Sequence, residues 1–331
     1  MGQAEAIKKM NLSQLKTLQK KLILKVYSQA DWSFLPSFIW FSYLGARICY
    51  AETHPLAIFQ EEKFRDHLKL VKFLVHLKTQ KHFSVFAHTP VPVSLSNFSE
   101  REKYEIAKSF YKVFWDEEDR WALFNLRHFA ENLEENIFEN LISIKPNLEE
   151  MKIKIFKNWV KIYEGNFSGL FLEKLGKEGL NKEESPWATP EVIIIESKKD
   201  FPLRWIGVIV HNLSRVFSHQ FVRHTWLNFN QRSHRYTKVE KFIVPSGFSE
   251  DCFKRYKEII LNSLKIYQEL CVEVKKESAR LVIPQGVTTT LLATGPLLVW
   301  EDFVSKRALP QVQEEIKNLA FLLKENLFEE K

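Results

Sequence analysis

Two hydrophobic rhythms run along the chain. Apolar residues at helical spacing occur at Leu15, Leu18 and Leu22, again at Leu68, Val71, Leu74 and Val75, and over Phe253, Tyr256, Ile260, Leu264, Tyr267 and Cys271. Recurrence every three or four positions turns one face of a helix toward a core. The pattern predicts helices over 1–30, 64–77 and 251–277, and a fourth from 310 onward. The last carries Val312, Ile316, Leu319, Leu323 and Leu327 on its stripe, with Pro310 at its opening. Two or three further helices are expected over 104–114, 121–142 and 148–163. A shorter period takes over at 192–195 and 205–211, where β-branched residues crowd together and read as strands. Ser214 is placed to cap a helix whose apolar side is Val216, Phe217, Phe221 and Val222.

Composition narrows the class. A chain of 331 residues can bury a sizeable core. The formal charge of +7, from 48 basic against 41 acidic residues, suits nucleotides but falls short of a dedicated nucleic-acid binder. Cys49, Cys252 and Cys271 are widely spaced and form neither a disulfide framework nor a metal signature, so a reducing cytoplasm is expected. The uncharged stretch 32–46 is too short for a membrane span and holds Pro36. The stretch 281–300 is interrupted by Gln285, threonines, prolines and glycines. Neither is expected to cross a bilayer, and the lysine-rich start lacks the pattern of a signal peptide.

The chemistry gathers at 214–236, SRVFSHQFVRHTWLNFNQRSHRY. Arg223, Arg232 and Arg235 stand there with His219, His224 and His234 among aromatic and amide side chains, and no carboxylate occurs between Asp200 and Glu240. A patch of one sign interleaved with rings suits an anionic, planar ligand, guanidinium on phosphate and ring on ring. With Arg280, Arg223 and Arg235 can neutralise a phosphate dianion. Ser233 and Arg235 read as alternating on an extended segment, which turns hydroxyl and guanidinium to one side. No cysteine sits in a nucleophile motif. The glycine pairs at 165/169 and 176/179 lack the strand and lysine of a phosphate loop, and the histidine spacing gives no zinc site.

Gln220, Arg223, His224, Asn230, Ser233, Arg235 and Tyr236 follow the order QxxRHxxxxxNxxSxRY. This resembles the signature of the flavin-dependent thymidylate synthase family, usually RHRxxSxNxxSxRY. Thr225, Asn228 and Gln231 stand where that signature usually has arginine, serine and glutamate. The segment 46–50, ARICY, is similar to the family's AR-x-C/S-x. HFSVFAH at 82–88 resembles its GHxSxxEH turn, with His88 on the final histidine and Ala87 in place of the glutamate. ARLVIP at 279–284 resembles AR-x-x-LP. Arg307 falls on the arginine that contacts the uracil ring, and Pro296 and Asp302 replace two asparagines.

The resemblance implies an α+β fold, a mixed or mainly antiparallel sheet with long packed helices at 251–283 and 310–328. It divides the chain into a basic N-terminal helix at 1–30, a catalytic domain at 31–89 and 204–331, and a mainly helical insertion at 90–203. It implies reductive methylation of dUMP to dTMP with 5,10-methylenetetrahydrofolate and NADPH through FAD, without a covalent enzyme nucleophile. Gln220, Arg223, Gln231, Ser233, Arg235, Arg280 and Arg307 would bind dUMP, with Arg307 the catalytic residue that favours the ionised uracil. Cys49, His88, Arg223, His224, Thr225 and Gln231 would bind FAD. A cytoplasmic homotetramer follows, with no metal, nucleic-acid or membrane partner. Two other readings stand beside it. One is a diverged member that binds a nucleotide without the reaction, suggested by Thr225, Gln231, Pro296 and Asp302. The other is a nucleic-acid-binding module built on the basic aromatic stretch.

Overall fold

Uncharged β-branched runs become the middle of the larger of two sheets. The computed structural model describes residues 12–133, 137–138, 152–156, 186–245 and 247–329. They fall into two units, one of Met1–Tyr43, Gln60–Met151 and Lys198–Trp205, the other of Leu44–Phe59, Lys152–Ser197 and Ile206–Lys331.

In the second unit, β4 (Lys152–Phe156), β5 (Glu191–Glu196), β6 (Trp205–Ser214), β7 (Asn228–Gln231) and β8 (Thr288–Pro296) form a sheet in the order β4-β5-β6-β8-β7. β8 is buried at every position and β6 at all but Asn212, which is why both read as near-continuous runs rather than as an alternation. β4 with β5, β5 with β6 and β7 with β8 pair antiparallel, with Val208 opposite Ile194 and Asn230 opposite Leu292. The α+β class with a mainly antiparallel sheet therefore holds. Ser249 caps the helix Glu250–Glu273, whose Phe253, Ile260 and Tyr267 pack with Trp187, Phe242 and Val287. The helix Leu297–Arg307 is tied to the sheet by Trp300, whose indole donates to the Ile206 carbonyl at 3.2 Å.

Two helix boundaries differ from the expectation. The helix expected over 251–283 stops at Glu273, because Val274 (φ −131°, ψ 165°) and Lys275 are extended. The apolar stripe ends at Cys271, and the exposed Val272 and Val274 have no core to follow. Short turns at Lys276–Ala279 and Arg280–Val282 continue the chain. The last helix begins at Glu314 and not at Pro310, which lies in a turn closed by Val312 donating to the Leu309 carbonyl at 3.1 Å.

In the first unit, the helix Leu12–Gln29 buries Leu22, Ile23 and Val26, and residues 1–11 lie outside the described residues. The helix His67–Thr79, capped by Asp66, buries Leu70, Val71, Leu74 and Leu77, while Phe64 belongs to a separate turn, Glu62–Arg65. A small antiparallel sheet runs β1 (Pro90–Ser94), β3 (Trp121–Asn125), β2 (Phe114–Trp115).

The described residues of 90–203 include strands as well as helices. They hold five strands, β1 to β5, beside the helices Glu100–Ser109 and Leu126–Asn132. Aromatic and β-branched residues favour the pleated surface there. Trp121 opens a strand, and within 148–163 the alternating Lys152–Phe156 is a strand, the rest lying outside the described residues. No helix among the described residues is long and apolar enough to cross a membrane.

Candidate functional site

Ser214 ends β6 and starts the helix Arg215–Phe221, its hydroxyl accepting from the Phe217 N–H at 3.0 Å. The same residue is gripped by buried Glu315, which accepts from the Ser214 N–H at 2.9 Å and from its hydroxyl. Burial pushes the Glu315 carboxyl up, and the Ser214 and Gln313 hydrogen bonds oppose that rise. Phe217, Ser218 and Phe221 anchor the helix, so its last turn swings Arg223 and Thr225 into solvent and leaves His224 half-buried.

His224 and Arg307 meet there. The Arg307 Nε–H donates to His224 Nε2 at 2.7 Å, and the imidazole packs edge-on to Phe303 at 4.8 Å. Burial, and then the positive charge of Arg307, pulls His224 down from its ordinary 6.5 to about 4. The ring is therefore neutral near pH 7, and its unprotonated Nε2 is what accepts from the guanidinium. Asp302, one turn before Lys306, is engaged by that ammonium at 2.8 Å. Gln220 lies in the last turn of the helix and receives the Arg223 N–H on its carbonyl at 3.3 Å.

β7 carries the chain from this pole to a second. The Asn230 amide donates to Cys49 Sγ at 2.9 Å, the Ser233 N–H donates to the Cys49 carbonyl at 2.9 Å, and the Gln231 amide donates to Thr289 Oγ1 at 3.0 Å. Burial raises the Cys49 thiol, which leaves it protonated and a poor nucleophile. Its role in the described geometry is to tie the end of the helix Trp40–Tyr50 to β7.

Ser233 and Arg235 do not alternate on an extended segment. Tyr236 and Thr237 both donate to the Ser233 carbonyl, at 3.0 and 3.1 Å, so the chain turns there, and the Ser233 hydroxyl supports the turn by accepting from the Arg235 N–H at 3.3 Å. The turn carries Arg235 to Glu277, whose Oε2 accepts from Nε and Nη2, each at 2.9 Å. Arg280 reaches the same residue through its Nε–H, donated to the Glu277 carbonyl at 3.2 Å.

The structure thus brings Ser233, Arg235 and Arg280 to one pole and Arg223, His224, Thr225 and Arg307 to another, with Gln231 on the strand between. His88 lies in the first unit, wholly buried, its carbonyl accepting from the Trp205 indole at 3.1 Å. Three residues of the site escaped the reading of the sequence: Glu277, Glu315 and Arg215. Arg215 is half-buried, and burial followed by the charge of Arg280 lowers its pKa. It follows the cap Ser214 inside the carboxylate-free stretch, a signal that could have found it. Chemically, two guanidiniums that meet at one residue, with only Arg235 engaging its carboxylate, suit a phosphate, and a neutral imidazole bonded to an arginine suits a polar ring.

A family model described as "Thymidylate synthase complementing protein" matches residues 206–330. A flavin-dependent thymidylate synthase of Thermococcus onnurineus is 31% identical over 121 residues, covering 34% of this chain and 49% of its own. Another, of Sulfolobus acidocaldarius, is 34% identical over 118 residues, covering 34% and 45%. The chain spans about half the length of the curated relatives it matches. A solved structure of such a synthase from Helicobacter pylori, complexed with FAD and dUMP, overlaps 38% of this chain and 68% of its own at 17% identity with a TM-score of 0.32.

Proposed function

We propose, from the premise that residues 206–330 belong to the thymidylate synthase complementing protein family, that the chain is a flavin-dependent thymidylate synthase converting dUMP to dTMP. The one-carbon unit comes from 5,10-methylenetetrahydrofolate and the reducing equivalents from NADPH. The observation that carries the reading is the meeting of Arg235 and Arg280 at Glu277, residues distant in sequence that together offer a phosphate two guanidiniums.

In this reading Gln220, Arg223, Gln231, Ser233, Arg235, Arg280 and Arg307 serve dUMP. Arg307 spends its Nε–H on His224, which leaves its terminal nitrogens to hold the uracil and favour the ionised ring. Cys49, His88, Arg223, His224, Thr225 and Gln231 serve FAD. The fit rests on Arg223, exposed and cationic, beside a neutral His224 that packs on an aromatic ring. Bound FAD supplies the hydride chemistry. The chain's own work is to position and neutralise, and a protonated Cys49 agrees with a path that needs no covalent nucleophile. The active form is taken as a cytoplasmic homotetramer, with the catalytic portion at 31–89 and 204–331.

A second reading, a member that binds nucleotide without the reaction, has the Asp302–Lys306 pair beside His224 in its favour, since a carboxylate stands where an asparagine is usual. The visible spectrum of the purified protein, followed by dUMP-dependent NADPH oxidation and dTMP formation with the folate, separates the two. A flavin spectrum with dTMP is expected. A colourless protein that binds dUMP and forms no dTMP would establish the second reading.

A further inference from the structure

A cavity of about 230 Å³ lies in the second unit, beside His211 and His234 and away from the turn that carries Arg223 and His224. Arg232, Lys238 and Lys241 line it with Glu52 and Glu240. Its size excludes a flavin or a folate, since sites for ligands of drug size start at roughly 300 Å³. A phosphate or pyrophosphate fits.

The charges lean one way. Three fixed cations face two carboxylates, and Glu52 already accepts from the Lys238 backbone N–H at 2.7 Å. Arg232 spends Nη2 on the Thr53 carbonyl at 3.0 Å, and its Nε is buried with no hydrogen-bond partner. Neither histidine adds to the negative side or is free to relieve the positive one. His211 gives Nδ1 to Thr290 Oγ1 at 2.8 Å, and burial, Arg232 and His54 hold its ring at about 3. Burial, then Arg215, with Arg280 and Arg232 also contributing, holds His234 at about 4. Both rings are therefore neutral near pH 7 and present polar groups to a site whose field is positive.

We propose that this cavity is a binding site for a small free polyanion of the phosphate or pyrophosphate class, separate from the pole at Arg223, His224 and Arg307. β7 sets the two apart. Four residues at about 3.3 Å each put on the order of 10 Å of strand between its ends. The site would fill with inorganic pyrophosphate without occupying the planar-ring pole.

The test is calorimetric titration of the full chain with pyrophosphate and with orthophosphate at fixed ionic strength. One site per chain is expected. Its affinity should fall about tenfold or more in Arg232→Gln and in the double variant Lys238→Ala, Lys241→Ala, as charge-assisted contacts are lost. It should hold in Lys254→Ala, which removes an exposed lysine paired with Glu250 elsewhere in the unit. Lys238 is exposed and Lys241 half-buried, both less enclosed than the buried Arg232 Nε, so the double variant decides the matter even where Arg232→Gln does not fold. Absence of binding at millimolar pyrophosphate overturns the proposal, as does equal affinity in the double-lysine variant. Displacement of pyrophosphate by dUMP overturns it too, because the cavity would then be the phosphate end of the nucleotide site.

Discussion

Glu277 holds Arg235 with its carboxylate and Arg280 with its carbonyl, and the two grips differ in how easily a phosphate replaces them. Arg235 and Glu277 keep 52% and 40% of their side-chain surface exposed, so their ion pair is worth at most about 1 kcal/mol. A phosphate dianion brings more charge and more acceptors than that one carboxylate. Arg235→Ala and Arg280→Ala are each expected to weaken dUMP binding at least about tenfold, the loss of a charge-assisted contact of roughly 1.5–3 kcal/mol. Glu277→Gln should change it by no more than about fivefold. Titration with dUMP measures all three, and unchanged affinity in both arginine variants removes them from the site. Thr225 tests the other pole. Lys306 and Arg307 already act on His224, and Arg223 is exposed beside it, so an added guanidinium meets three cations. FAD affinity in Thr225→Arg is expected to stay flat or fall. A gain of about tenfold or more, the worth of a restored charge-assisted bond, would mean that the site merely lacks its arginine. The order of the signature residues was legible in the sequence because it is local. Glu277 was not, because what it does depends on a turn at Ser233 that brings distant residues to it.

At the scale of elements, the helix that presents Arg223 and His224 hangs on Ser214. The hydroxyl accepts from the Phe217 N–H and donates to Glu315, so one side chain caps the helix and satisfies a buried carboxylate. Ser214→Ala is expected to cost about 2–3 kcal/mol, the cap near 1 and the rest from the acceptor left short. Ser214→Thr should restore most of it, and denaturant midpoints of the three proteins check this. A cost of only about 1 kcal/mol in the alanine variant, the cap alone, would mean that Glu315 is satisfied by the Ser214 N–H and Gln313. The cap itself was readable from the sequence, as were the stripes of 253–271 and 316–327, because both are short-range patterns. The break at Val274 was not. Helical spacing continues there on paper, but exposed Val272 and Val274 have no core to pack on. Trp121 to Asn125 misled for the opposite reason. Its residues fit a helix by composition, and pairing with β1 and β2 decided for a strand.

For the molecule as a whole, the buried histidines set the response to acid. Burial, Arg232 and His54 hold His211 near 3 against an ordinary 6.5. His224 and His234 are held near 4, and burial also lowers His128. Each of these groups takes up a proton in the unfolded chain at a pH where the folded chain refuses it. Below about pH 6.5 the unfolded state therefore binds more protons, and stability falls as pH falls. Glu315 acts in the other direction, because its raised carboxyl accepts a proton in the folded state before it does in the unfolded one. Three histidines held at about 4 or below outweigh that single carboxyl, so the net loss falls between pH 7.5 and 5. His211 alone should account for about 2 kcal/mol at pH 5, from 1.5 units at about 1.4 kcal/mol each. The check is the urea unfolding free energy of wild type and His211→Asn at pH 7.5 and pH 5.0. The wild type is expected to lose stability across that interval, and His211→Asn to lose about 2 kcal/mol less, whatever its starting value. An identical loss in both proteins would place His211 in contact with solvent or a counter-charge, and it would remove the neutral imidazole from the cavity wall proposed above.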